Sequence, residues 1–139
     1  METIRILLVD SDQIVCEGLR SMLKQEIDMQ VVGEAHNVEE ALTQADLLSP
    51  DVILMDVKMP GMDGIEGTRK LREKHPSCSV IILTLCEDYL TEAIEAGAAG
   101  FFSKGISREE LAMAIRAVHL CRAALFHSGS PFTSVRLGR

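Results

Sequence analysis

An α/β fold of five strand–helix units, with a parallel sheet covered by helices on both faces, is the class this chain predicts. Three observations carry it. Short apolar runs alternate strictly with amphipathic stretches at helical spacing. Two of the runs, 52–55 (VILM) and 80–83 (VIIL), show no polar alternation, as expected of strands buried on both faces of a parallel sheet. Polar residues then recur immediately after the runs, at Asp10, Asp56, Thr84 and Lys104.

The elements follow in order. Residues 4–9 (IRILLV) form the first strand, which ends at Asp10, Ser11 and Asp12. A helix comes next, with Val15, Leu19, Met22 and Leu23 at i, i+4, i+7 and i+8. Residues 30–35 (QVVGEA) make a weaker strand, broken by Gly33 and expected at the sheet edge. Asn37 reads as the N-cap of the second helix, and Glu40, three residues on, gives it capping-box character. Val38, Ala41, Leu42, Ala45 and Leu48 share one face of that helix, and Ser49-Pro50 ends it. The central strand, 52–55, runs into Asp56 and then into a Pro/Gly loop, MPGMDG. The third helix, 65–74, turns Ile65, Thr68 and Leu71 inward and closes at His75-Pro76. After the strand 80–83 and Thr84, a short helix from about residue 88 to 95 is stopped by Gly97. The last strand, 98–103 (AAGFFS), ends at Lys104. Ser107, with Glu110, opens the final helix, whose buried face is Leu111, Ala114, Ile115 and Val118. From about residue 123 Gly, Ser, Pro and Thr interrupt any period. Residues 1–122 therefore read as one domain and 123–139 as a linker or C-terminal tail.

Composition narrows the function. A chain of 139 residues can bury a core without staples, and 47% hydrophobic with 25% charged residues is ordinary for a soluble domain. There is no Trp, aromatics are few, and the net charge is −7 with no dominant basic cluster, which argues against direct nucleic-acid binding by this segment. Cys16, Cys78, Cys86 and Cys121 are far apart with no CxxC pair, and no signal peptide precedes them; reduced thiols of a cytoplasmic protein are expected, not a disulfide frame or a zinc site. No apolar run approaches the ~18 residues of a membrane span. His36, His75, His119 and His127 show no metal-ligand spacing and are expected in surface or helix-end roles. Walker, GxGxxG and GxSxG motifs are absent.

The chemistry gathers at the strand ends. In a doubly wound sheet the carboxyl ends of the strands converge beside the switch point, which would bring Asp10, Asp56, Thr84 and Lys104 to one edge. Carboxylates with oxygen donors nearby suit Mg²⁺, which takes a few carboxylates plus waters and phosphate oxygens. A carboxylate flanked by a metal ion, a hydroxyl and an ammonium is equipped to attack phosphorus. Each residue alone is an ordinary strand-end polar group; the combination is the signal.

The segments IRILLVDSD, VVGEAHNVEEAL, PDVILMDVKMPGMDGIEGTRKLRE, VIILT and AIEAGAAGFFSKGISREELAMAIRAV resemble response-regulator receiver domains. They particularly resemble the receivers of the bacterial subgroup with a C-terminal LuxR/NarL-type helix-turn-helix. The resemblance implies a flavodoxin-like (βα)5 three-layer sandwich with strand order 2-1-3-4-5. It implies a two-component phosphoacceptor rather than an enzyme in the usual sense: Asp56 takes a phosphoryl group from a sensor histidine kinase in a Mg²⁺-dependent reaction. On this mapping Asp10 and Asp56 are metal ligands with the backbone carbonyl of Lys58, Thr84 is the switch hydroxyl, Lys104 the catalytic lysine, and Phe101 the switch aromatic. The family also implies transcriptional regulation through an output domain, and a homodimer through the last helix or the face from the fourth strand to the fifth helix.

The departures from the pattern are specific. The usual acidic pair has two adjacent carboxylates, whereas Ser11 holds the second place here, leaving Ser11 or Asp12 as the remaining candidate ligand. Weaker Mg²⁺ binding and slower phosphorylation are expected. Phe101 lacks the hydroxyl of the common Tyr, the loop after Thr84 is short, and Gly105 replaces the Pro that often follows the lysine. The competing expectation is a pseudo-receiver: a binding module whose impaired metal site makes its interactions independent of phosphate.

Overall fold

The computed structural model of the chain describes residues 2–128. Five parallel strands form one sheet of order β2-β1-β3-β4-β5, with β1 Ile4–Val9, β2 Met29–Ala35, β3 Val52–Met55, β4 Ser79–Thr84 and β5 Gly100–Ser103. The connecting helices are α1 Gln13–Lys24, α2 Val38–Leu48, α3 Gly64–Lys74, α4 Leu90–Glu95 and α5 Arg108–Ser128. This is the expected α/β sandwich in the expected order. Strand order reverses at β1, which pairs with β2 on one side and β3 on the other.

The three layers follow from the alternation of side chains along each strand. Leu7, Val9, Ile53, Met55, Val80 and Ile82 face one way, onto Ala41 and Ala45 of α2, Ile65 and Leu71 of α3, and Ala93 of α4. Ile6, Leu8, Val52, Leu54, Ile81 and Leu83 face the other way, onto Leu23 of α1 and Leu111, Ala114, Ile115 and Val118 of α5. Both faces of β3 and β4 are buried, so the unbroken apolar runs have their physical reason.

Local details refine the boundaries. Strand β2 lies at the edge, and its register slips between Ile6 and Leu7, leaving Val32 as a bulge beside Gly33. Helix α2 packs so tightly there that a Cβ on Gly33 would stand 2.8 Å from the Leu48 side chain. Ser49 ends α2 in a left-handed conformation (φ 48°), and the Arg5 guanidinium donates to the carbonyls of Leu48 and Ser49 at that C-terminus. A short 3₁₀ turn, Glu87–Tyr89, precedes α4. Strand β5 starts at Gly100, two residues later than expected, because the Ala98 amide donates to Ala93 within the helix-end turn. Arg108 and Arg116 of α5 bind Glu26 and Asp28, tying the long helix to the turn between α1 and β2. Helix α5 continues to Ser128; the rest of the expected tail, 129–139, lies outside the described residues, as does His127 in its side chain.

Candidate functional site

Backbone hydrogen bonds carry the sheet one residue past each strand and so fix the site. The Asp10 amide donates to Ala35 (3.0 Å), that of Asp56 to Val9 (2.9 Å), and that of Lys104 to Thr84 (2.9 Å). Asp10, Asp56 and Thr84 are thereby held at one edge, all buried. The Lys104 ammonium lies between the two carboxylates, 2.7 Å from Asp10 Oδ2 and 3.1 Å from Asp56 Oδ1. Four residues spread over 95 positions of sequence converge because four parallel strands end together.

The loop after Asp56 closes on the strand it leaves. The Gly64 amide donates to the Val57 carbonyl at 2.8 Å, bringing the start of α3 so near that a Cβ on Gly64 would sit 1.9 Å from the Asp56 carbonyl oxygen. Only glycine fits there. Asp63 accepts from the Glu66 amide (2.9 Å) and caps α3. Neither feature is read above, although an Asp-Gly pair just before an amphipathic run is a recognisable helix-start signal.

Around the carboxylates the partners are unequal. Asp10 Oδ1 accepts from the Asp12 amide (2.9 Å), while Asp12 Oδ1 accepts from the Ile14 amide (2.9 Å) as the N-cap of α1. Asp12 is thus engaged in helix capping, and both it and Ser11 are exposed. Lys58 is exposed between the buried Val57 and Met59. Thr84 Oγ1 accepts from the Cys86 amide at 3.2 Å. Phe101, half-buried on β5 opposite Ile82, packs against the core layer formed with α2, α3 and α4.

The electrostatics express one shortage of positive charge. Burial pushes the Asp56 carboxyl above the usual range, with Asp10 repulsion adding to it; Lys104 and the Val57 amide act against the rise. Burial disfavours the Lys104 cation, yet hydrogen bonds and charge from Asp10 and Asp56 outweigh it and hold its pKa above the ordinary value. Two buried carboxylates share one ammonium.

Comparison with known proteins agrees with this fold. Residues 6–116 match the family described as the response regulator receiver domain. The response regulator GacA of Pseudomonas viridiflava is 47% identical over 117 residues, covering 83% of this chain and 55% of that protein. The chain spans about half the length of the curated relatives it matches. Among solved structures, a LuxR-family two-component response regulator from Aurantimonas sp. SI85-9A1 superposes with a TM-score of 0.82 at 36% identity, covering 87% of this chain and 88% of that one. The signal receiver domain of the NarL regulator from Mycobacterium tuberculosis gives 0.78 at 30% identity, covering 88% and 98%. Among the described residues no helix is long and apolar enough to cross a membrane.

Proposed function

The chain belongs to the response regulator receiver domain family, and from that premise we propose that Asp56 is its phosphoacceptor, served by a sensor histidine kinase. The observation that supports this best is the Lys104 ammonium bridging Asp10 and Asp56 at the strand ends. In the reaction a carboxylate oxygen of Asp56 attacks phosphorus of a phosphohistidine, the P–N bond breaks, and its electron pair leaves with the imidazole. The product is an acyl phosphate. Lys104 is placed to follow the new negative charge, moving from the Asp56 oxygen to a phosphoryl oxygen. Thr84 receives the Cys86 amide on its oxygen, so its own proton remains available for another phosphoryl oxygen. Burial and the Asp10 charge raise the Asp56 pKa, which strengthens the carboxylate as a nucleophile, while Lys104 and the Val57 amide oppose the rise.

The donor set fits Mg²⁺, since Asp10 and Asp56 are hard anionic ligands with more negative charge than Lys104 alone offsets. Asp10, Asp56 and the Lys58 carbonyl would hold the ion, with Ser11 as a neutral fourth donor. When bound it neutralises phosphoryl oxygens and lowers repulsion of the incoming anion. With Asp12 engaged as a helix cap, no third carboxylate replaces the one absent at Ser11, so the ion binds more weakly than at a site with a full acidic pair. Phosphorylation then shifts Thr84 and Phe101 and changes the partner contacts of β4, α4, β5 and α5, regulating transcription through an output domain in the cytoplasm. A homodimer through α5 or the neighbouring face is the expected form of the active state.

The test is incubation of the purified chain with acetyl phosphate and Mg²⁺, followed by mass spectrometry. One added phosphoryl group on wild type and none on Asp56→Asn is expected. No adduct, under conditions that label a control receiver, overturns the reading and favours a binding module independent of phosphate.

A further inference from the structure

Behind the strand end that carries Asp10, a second constellation of different chemistry lies between α1 and β2. The Cys16 thiol, a Glu34 carboxylate oxygen and a His36 ring nitrogen all fall within 4.8 Å of one another. We propose that Cys16, Glu34 and His36 form a binding site for a borderline divalent cation of the zinc type, separate from the carboxylate pocket of Asp10 and Asp56. A thiolate, an imidazole and a carboxylate are the ligand types of such ions, whereas Mg²⁺ prefers oxygen alone.

The surroundings of each ligand are those of a supported site. Arg20 holds one oxygen of Glu34, with Nε and Nη2 each 2.9 Å from Oε2. The other oxygen, Oε1, faces His36 Nε2 at 3.8 Å and Gln13 Nε2 at 3.3 Å. His36 Nδ1 lies 3.4 Å from Glu40 Oε1, which also accepts from the His36 amide at 2.8 Å. Glu40 therefore anchors the ring from one side and leaves Nε2 turned toward Glu34. A carboxylate behind a ligating imidazole, and a guanidinium behind a ligating carboxylate, are the outer-shell partners that orient metal ligands. Gln13 Oε1, 2.8 Å from His36 Nε2, stands beside the cluster as a neutral fourth donor.

Tetrahedral zinc sets its ligand atoms about 3.5 Å apart, so closure from the present spacing takes a movement of about 1 Å, mostly in the half-exposed His36 ring. On binding, the thiol gives its proton to solvent, the sulfur–metal bond forms, and the weak thiol contact to the Asp10 carbonyl (3.5 Å) is lost. An oxidation-sensing role is less suited to this thiol: Cys16 is fully buried, and burial followed by the Glu34 charge pushes its pKa up to about 11. Nothing in the sequence spacing signals the site, because its residues meet only when α1 is laid against the β2 edge.

The experiment titrates Co²⁺ into the metal-free full chain in the presence of excess Mg²⁺ and follows visible and near-ultraviolet absorption. The expected result is a thiolate-to-cobalt charge-transfer band that saturates at one equivalent and is bleached by Zn²⁺. Cys16→Ser, with far-ultraviolet circular dichroism as the folding control, should lose the band. His36→Gln, at a half-exposed side chain whose change leaves the core alone, should weaken Co²⁺ affinity at least about tenfold. Cys86→Ser, next to Asp88 in the loop after β4 and three strands away from β2, should leave the band unchanged. The proposal is overturned by a wild-type chain with no band, by a band that survives Cys16→Ser, by a band that disappears with Cys86→Ser, or by a Co²⁺ affinity that His36→Gln leaves unchanged. Because the readout needs neither phosphate nor Asp56, it succeeds or fails independently of the phosphoacceptor reading.

Discussion

Replacing Gly64 with alanine should damage the strand end and the chemistry together. The added Cβ would stand 1.9 Å from the Asp56 carbonyl oxygen, and real Cβ contacts essentially never fall below 3.0 Å, so the backbone must open by at least 3.0 − 1.9 = 1.1 Å. The obstacle is the main chain of the acceptor residue, which cannot rotate aside as a side chain could. Overpacking of this kind costs about 3 kcal/mol, and at about 3 °C per kcal/mol for a domain of this size the melting temperature should fall by roughly 9 °C. A displacement of about 1 Å at a reacting group costs on the order of 100-fold in rate. The assay pairs thermal unfolding by circular dichroism with the initial rate of Asp56 labelling by acetyl phosphate at saturating Mg²⁺. Gly67→Ala is the internal control: its Cβ meets Val38 Cγ2 at 2.8 Å, a side-chain atom that can yield, and alanine favours the helix there by about 1 kcal/mol. Gly61→Ala, at φ 80° with nothing within 4 Å, should cost only about 1–2 kcal/mol of backbone strain and leave the rate nearly unchanged. The reasoning is refuted if Gly64→Ala melts and reacts like wild type, or if Gly67→Ala suffers equally.

Three further outcomes follow from the site. Lys104→Met removes the cation shared by Asp10 and Asp56 and should cost about 3 kcal/mol at pH 7.5 by urea denaturation. The Asp56 carboxyl pKa, already raised in the folded state, rises further; the folded form then binds protons more tightly than the unfolded one. The deficit should therefore shrink as pH falls through that raised pKa toward the ordinary carboxylate range, and a pH-independent deficit would contradict the electrostatic account. Ser11→Asp should tighten Mg²⁺ binding about tenfold or more, measured by isothermal titration; unchanged affinity would mean the site is already complete. Asp12→Ala should cost about 1 kcal/mol through loss of the α1 cap while leaving Mg²⁺ affinity within twofold, and a large loss of affinity would instead make Asp12 a ligand.

Much of this molecule was legible one residue at a time. The apolar runs at 52–55 and 80–83 announce buried parallel strands because both their faces must be covered, and the Asn37 and Ser107 caps announce helices because local side-chain oxygens satisfy local amides. The strand-end positions of Asp10, Asp56, Thr84 and Lys104 were equally visible, since a strand delivers its last residue to a known edge. Glycines were less transparent. Gly64 reads in sequence as a turn residue, and its real constraint, the Asp56 carbonyl 1.9 Å from a missing Cβ, exists only once the loop has folded back.

The sequence by itself determined the alternation of elements, the two-faced burial of the central strands and the identity of the strand-end groups, because periodicity and capping act within a few residues. Tertiary structure alone decided the rest. Lys104 meets Asp10 and Asp56 across the sheet, Asp12 caps α1, and Cys16 meets Glu34 and His36 across the α1–β2 contact. Charge pairing and metal ligation depend on distances of a few ångströms between residues far apart in the chain. Only the packing of helices on the sheet sets those distances.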